Sequence, residues 1–300
     1  HSRRTFATAT AASAFSFMVV PRHVLGGPDH TAPSDRVDFA GIGAGGMGGD
    51  DIRQVAKLGA NVVALCDVDD VSAARNYELF PRARRYKDFR EMLDREEHRI
   101  DAVTVGTPDH LHAVASMAAM QRGKHVYCEK PLSHTVYEAR QLTRAARKYG
   151  VATQMGNQGH ASEGPRLAIE WIRAGVIGEI REVHCWTDRP GKYWKQGIPR
   201  PPETPPTPAT LDWDLWLGPA PHRPFHQSHF HFNWRYWWDF GGGQLADFVC
   251  HYMDLPYWAL GLDYPTRILA NGEKGHDGDN QCPMRMKVDY QFAAKGDRPA

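Results

Sequence analysis

The chain is predicted to fold as an α/β protein: a Rossmann-type doubly wound parallel sheet, then an α+β region with an open antiparallel sheet. Three observations predict it. First, the apolar run Val37-Asp38-Phe39-Ala40-Gly41-Ile42 leads straight into Gly43-Ala44-Gly45-Gly46-Met47-Gly48, where Gly43, Gly45 and Gly48 fit the spacing G-x-G-x-x-G. Second, another apolar run, Asn61 to Cys66, ends at Asp67. That is about 20 residues on, where an acid meets the adenosine ribose hydroxyls of a dinucleotide. Third, strand-like and helix-like segments alternate from there to Met155, which is the pattern of βαβ units.

Each glycine of the first motif has its own task. One allows the tight turn, one lets backbone approach a pyrophosphate, and one lets helix pack on strand. The following helix offers free N–H groups and a positive dipole end to phosphates. It is expected over Asp50 to Leu58, with Gly59 ending it. Val71 to Leu79 reads as the second helix and Arg84-Arg85-Tyr86 as a short strand. Asp88 is a cap for the helix Phe89 to Arg95. The β-branched run Asp101 to Val105 is a buried strand, stopped at Pro108. Asp109 reads as the cap of a helix Leu111 to Arg122, which Gly123 ends. His125 to Cys128, the helix Tyr137 to Tyr149 and the strand Val151 to Met155 complete the half. Ligands of such sheets sit outside the carboxyl ends of the strands. Thr107, Pro108, Glu129 and Lys130 all fall there.

Bulk composition narrows the function classes. Three hundred residues predict about two domains. With 42% hydrophobic residues and a net charge of +1, there is core enough for a globular protein and no footprint for nucleic acid or anionic lipid. The five cysteines are scattered and form no C-x-x-C pair, so neither a disulfide framework nor a zinc site is expected. Nine tryptophans, concentrated after residue 170, suit either an aromatic core or a carbohydrate site.

The assigned organisation is residues 1–34 as export signal and linker, 35–155 as the nucleotide domain, and 156–300 as an incomplete substrate domain. Arg3-Arg4-Thr5-Phe6 before the mildly apolar stretch Ala7 to Val20 is similar to a twin-arginine export signal. That stretch is too short and polar for a membrane span. The chain does not open on methionine, and its start is read as a fragment boundary. An exported enzyme meets no exchangeable NAD(H) pool, so its cofactor is expected to stay bound and be recycled in place.

Four motifs in register, Gly43 to Gly48, Cys66-Asp67-Val68-Asp69, Thr107-Pro108-Asp109-His110-Leu111-His112 and Glu129-Lys130-Pro131, resemble those of the Gfo/Idh/MocA family. These are the glucose-fructose oxidoreductase and inositol dehydrogenase relatives. The resemblance runs from about Arg36 to the end, and by comparison the chain stops mid-domain at Ala300. It implies NAD or NADP held by Gly43, Gly45, Gly46, Met47, Gly48, Asp67, Thr107, Pro108, His112, Glu129 and Lys130. It also implies that Lys130 lies between nicotinamide and substrate. Asp67 repels a 2′-phosphate and so favours NAD. The peptide before Pro131 is a candidate for cis.

In the second half, Gly156 to His160 is a loop beside the expected nicotinamide, and Pro165 to Ala174 a helix ended by Gly175. Glu182 to Thr187 alternates like an antiparallel strand, Pro190 to Pro208 is a proline-dense surface loop, and Leu262 to Ala270 and Met284 to Phe292 are further strands. Trp213 to Pro219 resembles a family segment, W-x-x-W-L-G-P. From Gln244 a helix places Asp247, His251 and Asp254 on one face. The resemblance implies that Asp247 and His251 face the substrate, with His251 as general base, a task its ordinary pKa near 6.5 suits. Asp254 is read as tying the helix to the domain core. Asn157 and Trp238 complete the expected substrate residues. His222, His226, His229 and His231 cluster without a carboxylate or cysteine at ligand spacing, so no metal is expected, and the segment reads as a polar, aromatic loop over the site.

The expected function is hydride transfer between a sugar or polyol carbinol and a tightly bound nicotinamide cofactor, in a homo-oligomer. One alternative is an NAD-dependent, redox-neutral glycosidase, although the His-rich motif of such relatives is not evident after Asn157-Gln158-Gly159. The other is a non-catalytic nucleotide- or sugar-binding module, against which intact Lys130, Asp247 and His251 argue.

Overall fold

The structure, a computed structural model, describes residues 31–32, 35–188, 197–276 and 281–296. The export signal, most of the linker and the first part of the proline-dense loop lie outside the described residues. From Asp38 onward the chain packs as one compact unit. Its first half alternates as expected: β1 (Asp38–Ile42), α1 (Gly46–Lys57), β2 (Asn61–Cys66), α2 (Asp70–Leu79), β3 (Arg84–Tyr86), α3 (Phe89–Arg95), β4 (Ala102–Val105), α4 (Asp109–Gln121), β5 (His125–Glu129), α5 (Val136–Tyr149) and β6 (Thr153–Gly156). All five strand pairings are parallel, in the order β3-β2-β1-β4-β5-β6. The strand order reverses between β1 and β4, which is the switch point where such sheets bind ligands.

Both sheet faces are buried, which is why the strands read as nearly continuous apolar runs. One face packs Ile42, Val63, Val103 and Val126 against Met92, Met120 and Leu142. The other packs Phe39 and Leu65 against Ile52, Ala73 and Tyr77. The helix ends follow local chemistry. Asp69 and Asp88 accept from backbone N–H groups two residues on, and Thr135 forms a capping box with Glu138. Gly59, Gly123 and Gly175 stand in the left-handed region past their helices.

The expected cap at Asp109 is corrected. Pro108 is the N-cap, and Asp109 is the first helical residue, buried with no capping bond. Proline's fixed φ suits the extended conformation that precedes a helix.

The second half contains α6 (Glu163–Arg173), α7 (Trp213–Leu217), α8 (Gly243–Ala259) and the antiparallel pair β7 (Arg267–Glu273) and β8 (Arg285–Gln291). Its core is aromatic. Trp213 stacks on Trp216 at 4.5 Å, Phe240 meets Trp216 edge-on at 4.9 Å, and Trp234, Tyr236 and Trp237 are buried around them. His110 enters this core from α4, within 5.3 Å of both Trp216 and Phe240. Burial pushes it down to about 4, so it sits there neutral. The expected strand at Glu182 to Thr187 is corrected: residues 179–188 carry no regular structure, and among the described residues β7 and β8 pair only with each other. Alternation alone cannot make a strand without a neighbouring edge to bond.

Candidate functional site

A cleft of about 1200 Å³ runs along the carboxyl ends of the central strands. Of the expected cofactor residues, Gly43, Gly45, Gly46, Met47, Asp67, Thr107, Pro108, His112, Glu129 and Lys130 all line it. Gly48 lies beneath, packed against Gly43 and Gly106.

The glycine loop is built for close approach. Gly43 has φ +84°, and a Cβ there would stand 2.7 Å from the Gly106 carbonyl oxygen. A Cβ on Gly48 would collide with the Gly43 carbonyl oxygen. Above the loop, a Cβ on Gly46 meets nothing within 4 Å, and no side chain caps the start of α1. That start is therefore open to a phosphate, which its N–H groups and dipole favour. Asp67 accepts from the N–H groups of Ala44 (2.8 Å) and Gly45 (3.0 Å) with one oxygen and from Asp69 (2.9 Å) with the other. Burial pushes its carboxyl up, against the pull of these three donors. These residues fit a dinucleotide: an open glycine cradle, a free helix start and an acid at the second strand end.

At the other end of the cleft, β5 runs into Glu129-Lys130, and the Lys130-Pro131 peptide is cis, as the sequence led one to expect. The Lys130 ammonium donates to the Asp247 carboxylate at 2.6 Å and to its carbonyl at 2.9 Å. Arg235 also donates to that carboxylate, at 3.1 Å, with its guanidinium 4.3 Å from the Trp234 ring and 4.5 Å from Phe232. Burial pushes Asp247 up, but the charges of Arg235 and Lys130 outweigh it and hold the carboxyl below its usual range. Asp247 is thus a buried carboxylate shared by two cations. Sequence reasoning missed Arg235, because an arginine among aromatics reads as surface or core packing.

Beside Lys130 lies a second cluster. Gln158 donates to Glu129, whose carboxyl faces Asp51 of α1. Burial and then the Asp51 charge push Glu129 up to about 7, and burial pushes Asp51 up to about 6. His112 has its two ring nitrogens on the carbonyls of Pro131 (2.6 Å) and Thr107 (2.8 Å), so it braces the two strand-end turns.

The remaining expected residues are placed as follows. Of the residues expected on α8, Asp247 bonds Lys130 without itself lining the cleft, and the Phe248 ring lies 5.7 Å from the same ammonium. His251, one turn on, is half-buried with its ring 5.6 Å from Phe248 and does not line the cleft. Asn157 follows β6, buried. Its amide donates to the Cys250 carbonyl at 3.2 Å, while its oxygen has no partner among the described residues. Trp238 is 40% exposed and outside the cleft. Asp254 bonds His160 at 2.9 Å, tying α8 to the loop after β6. The histidine cluster disperses. His226 caps a short turn, His229 packs edge-on to Trp237 at 4.7 Å, and His231 approaches Asp69 at 3.3 Å. Phe230, His231 and Phe232 do line the cleft, so part of that segment closes over its nucleotide end.

Comparison with known proteins agrees with this geometry. Residues 37–157 match the oxidoreductase family described by its NAD-binding Rossmann fold, and residues 183–296 match the same family's C-terminal alpha/beta domain. Inositol 2-dehydrogenase of Salmonella typhimurium is 28% identical over 147 residues, covering 48% of this chain and 43% of that protein. Glycosyl hydrolase family 109 protein 1 of a Shewanella species is 30% identical over 155 residues, covering 48% and 33%. The chain spans less than half the length of these curated relatives. The crystal structure of the WlbA dehydrogenase of Bordetella pertussis, in complex with NADH and UDP-GlcNAcA, has the same fold. It aligns over 86% of this chain and 64% of its own at a TM-score of 0.62, with 20% identity. With both of its domains matched in order, the chain belongs to the Gfo/Idh/MocA oxidoreductase family, and its first half is an NAD-binding Rossmann domain.

Proposed function

We propose that the protein oxidises a carbinol of a sugar or polyol and passes the hydride to NAD held tightly in the cleft. The observation that carries this reading is that Lys130 and Arg235, both bonded to the buried Asp247, line the same cleft as the glycine cradle. The bound dinucleotide supplies the hydride acceptor. Lys130 and Arg235 set two positive charges against one carboxylate, so the site is biased toward stabilising negative charge on a substrate oxygen. Lys130 polarises that oxygen. Asp247 orients the ammonium and accepts from a neighbouring substrate hydroxyl. His251, on the same face of α8, takes the hydroxyl proton, and the unsatisfied Asn157 oxygen offers a further acceptor to the polyol. Asp67 disfavours a 2′-phosphate, which supports NAD over NADP. Export by the twin-arginine route and cofactor recycling in place complete the reading. The exposed apolar residues Ile268, Leu269 and Met286 on the β7–β8 ribbon, with Met284 just before β8, support a homo-oligomer.

A second reading, redox-neutral cleavage of a glycoside by oxidation, elimination, water addition and return of the hydride, is supported by the Shewanella relative's name. One experiment separates the two. The protein is purified without added nucleotide and denatured, and any nicotinamide cofactor released is identified by mass. Sugars, polyols and glycosides are then assayed without added NAD. We expect stoichiometric NAD, with paired oxidation and reduction of two sugars. Stoichiometric NAD with aglycone release gives the glycosidase. Absence of bound cofactor, with turnover only on added NAD, overturns tight binding.

A further inference from the structure

Asp109 is the first residue of α4, placed by its neighbour His110, whose backbone N–H donates to the Phe240 carbonyl at 3.2 Å. It is 3% exposed, yet it lines the cleft beside Lys130 and Arg235. No hydrogen bond or ion pair to its carboxyl forms among the described residues. A buried carboxyl without a donor is costly as an anion, and native structures rarely keep one without a use.

The groups that act on Asp109 come from each element around it. His112 lies one turn along α4, Arg235 on the segment before α8, Lys130 after β5 and Asp247 on α8. Three of these are basic and one acidic. The Cys250 and Cys282 thiols feel its charge from farther round. Burial dominates and pushes Asp109 up to about 7, with His112 and Arg235 pulling the other way.

Taking the cleft to be a nicotinamide dinucleotide site, we infer that Asp109 is the proton-exchanging group that answers the charge of the nicotinamide ring. It is the buried carboxyl that faces the cleft cations with no partner of its own among the described residues. The oxidised ring brings a positive charge into a low-dielectric cleft. Asp109 releases its proton to solvent and the carboxylate balances the ring. The reduced ring is neutral, and Asp109 keeps its proton. Both forms of the dinucleotide carry the same phosphates, so the difference between them isolates the ring. In an enzyme whose cofactor stays bound, Asp109 then takes up a proton each time the ring is reduced and releases it on re-oxidation. The charge of the site stays constant while it cycles.

The test is calorimetric titration of nucleotide-free protein with NAD and with NADH at pH 7, in buffers of different ionisation enthalpy, which counts protons released. We expect NAD to release about half a proton per site and NADH to take up about half, a difference of about one, since a group titrating near 7 is about half protonated there. Asp109→Asn should abolish the difference while both forms still bind. Infrared difference spectra on Asp51→Asn protein labelled with 13C-aspartate read the same group unaltered. A protonated-carboxyl band that moves with the label should disappear with NAD and persist with NADH. Equal proton counts for the two forms, or no change in that band, overturn the inference. So does a difference that survives in Asp109→Asn and is lost in Glu129→Gln, since it then belongs to Asp51 and Glu129. Failure of either nucleotide to bind overturns the reading of the cleft, and the inference with it.

Discussion

Two acidic clusters lie on either side of the Glu129-Lys130 turn and are driven in opposite directions. On one side Asp247 is buried and held below the usual carboxylate range. On the other, Asp51 and Glu129 are buried and pushed up to about 6 and about 7. Depth does not separate them, since Asp247, Asp51 and Glu129 are 6%, 8% and 5% exposed. What differs is the count of cations. Asp247 has two within hydrogen-bond reach, whereas Asp51 and Glu129 have chiefly each other and a neutral amide. Burial penalises any carboxylate. Adjacent positive charge reverses that penalty, and adjacent negative charge adds to it. The turn therefore holds a fixed anion on one side and a titrating pair on the other.

Removing a cation from the first side should have the largest effect. Lys130→Ala takes away the ammonium proposed to stabilise charge on the substrate oxygen. The expected loss in kcat is on the order of 10²–10⁴-fold. Asp247 keeps Arg235, so the fold should survive, and any fall in NAD affinity measures the share of Lys130 in holding the cofactor. Steady-state kinetics beside a nucleotide titration checks this, and a Lys130→Ala protein of undiminished kcat would remove Lys130 from the chemistry.

Removing the anion inverts the balance. Asp247→Ala leaves Lys130 and Arg235 close together, half-buried and without their shared counter-ion. Breaking such a site costs about 3–5 kcal/mol. At roughly 2–4 °C per kcal/mol for chains of this size, Tm should fall by about 10 °C. Adding Lys130→Met should recover part of that loss, because one unpaired cation is then gone. If the double variant is as unstable as the single one, the cost lies in packing and the two-cation account fails.

Much of the first half was legible from the sequence because its signals are local. Glycines with a spacing, apolar runs of strand length and turn residues at strand ends each act within a few positions. The site's own electrostatics were not legible in the same way. Asp51 and Asp109 are acids near helix starts, and from sequence such an acid reads as an exposed first-turn residue or, as with Asp109, as a cap. Their burial depends on α1 and α4 docking against β5 and the aromatic core. Arg235 belongs to the site only because the chain from Trp234 to Trp237 packs its aromatics inward and leaves the guanidinium at the cleft. Glu182 to Thr187 failed as a strand for a related reason: alternation records a preference, while a strand needs a partner edge.

The titrating pair yields the smallest expected effect, with the sign opposite to that of Asp247. Asp247 has a lowered folded pKa, so its stabilisation is present above the unfolded value near 4 and is lost as pH falls through the folded one. Glu129 has a raised folded pKa. Its contribution is complete below the unfolded value near 4 and is lost as pH rises through about 7. Between about pH 5 and 8, then, native protein should lose stability through Glu129 and Asp51 while Asp247 contributes a constant amount. Glu129→Gln replaces the titrating carboxyl by a neutral group of the same shape. The wild type minus variant difference in Tm should therefore shrink by roughly a few degrees from pH 5 to pH 8. A difference flat across that range would mean that Glu129 and Asp51 share no proton. Both sides of the turn would then hold fixed anions, and the contrast between them would vanish.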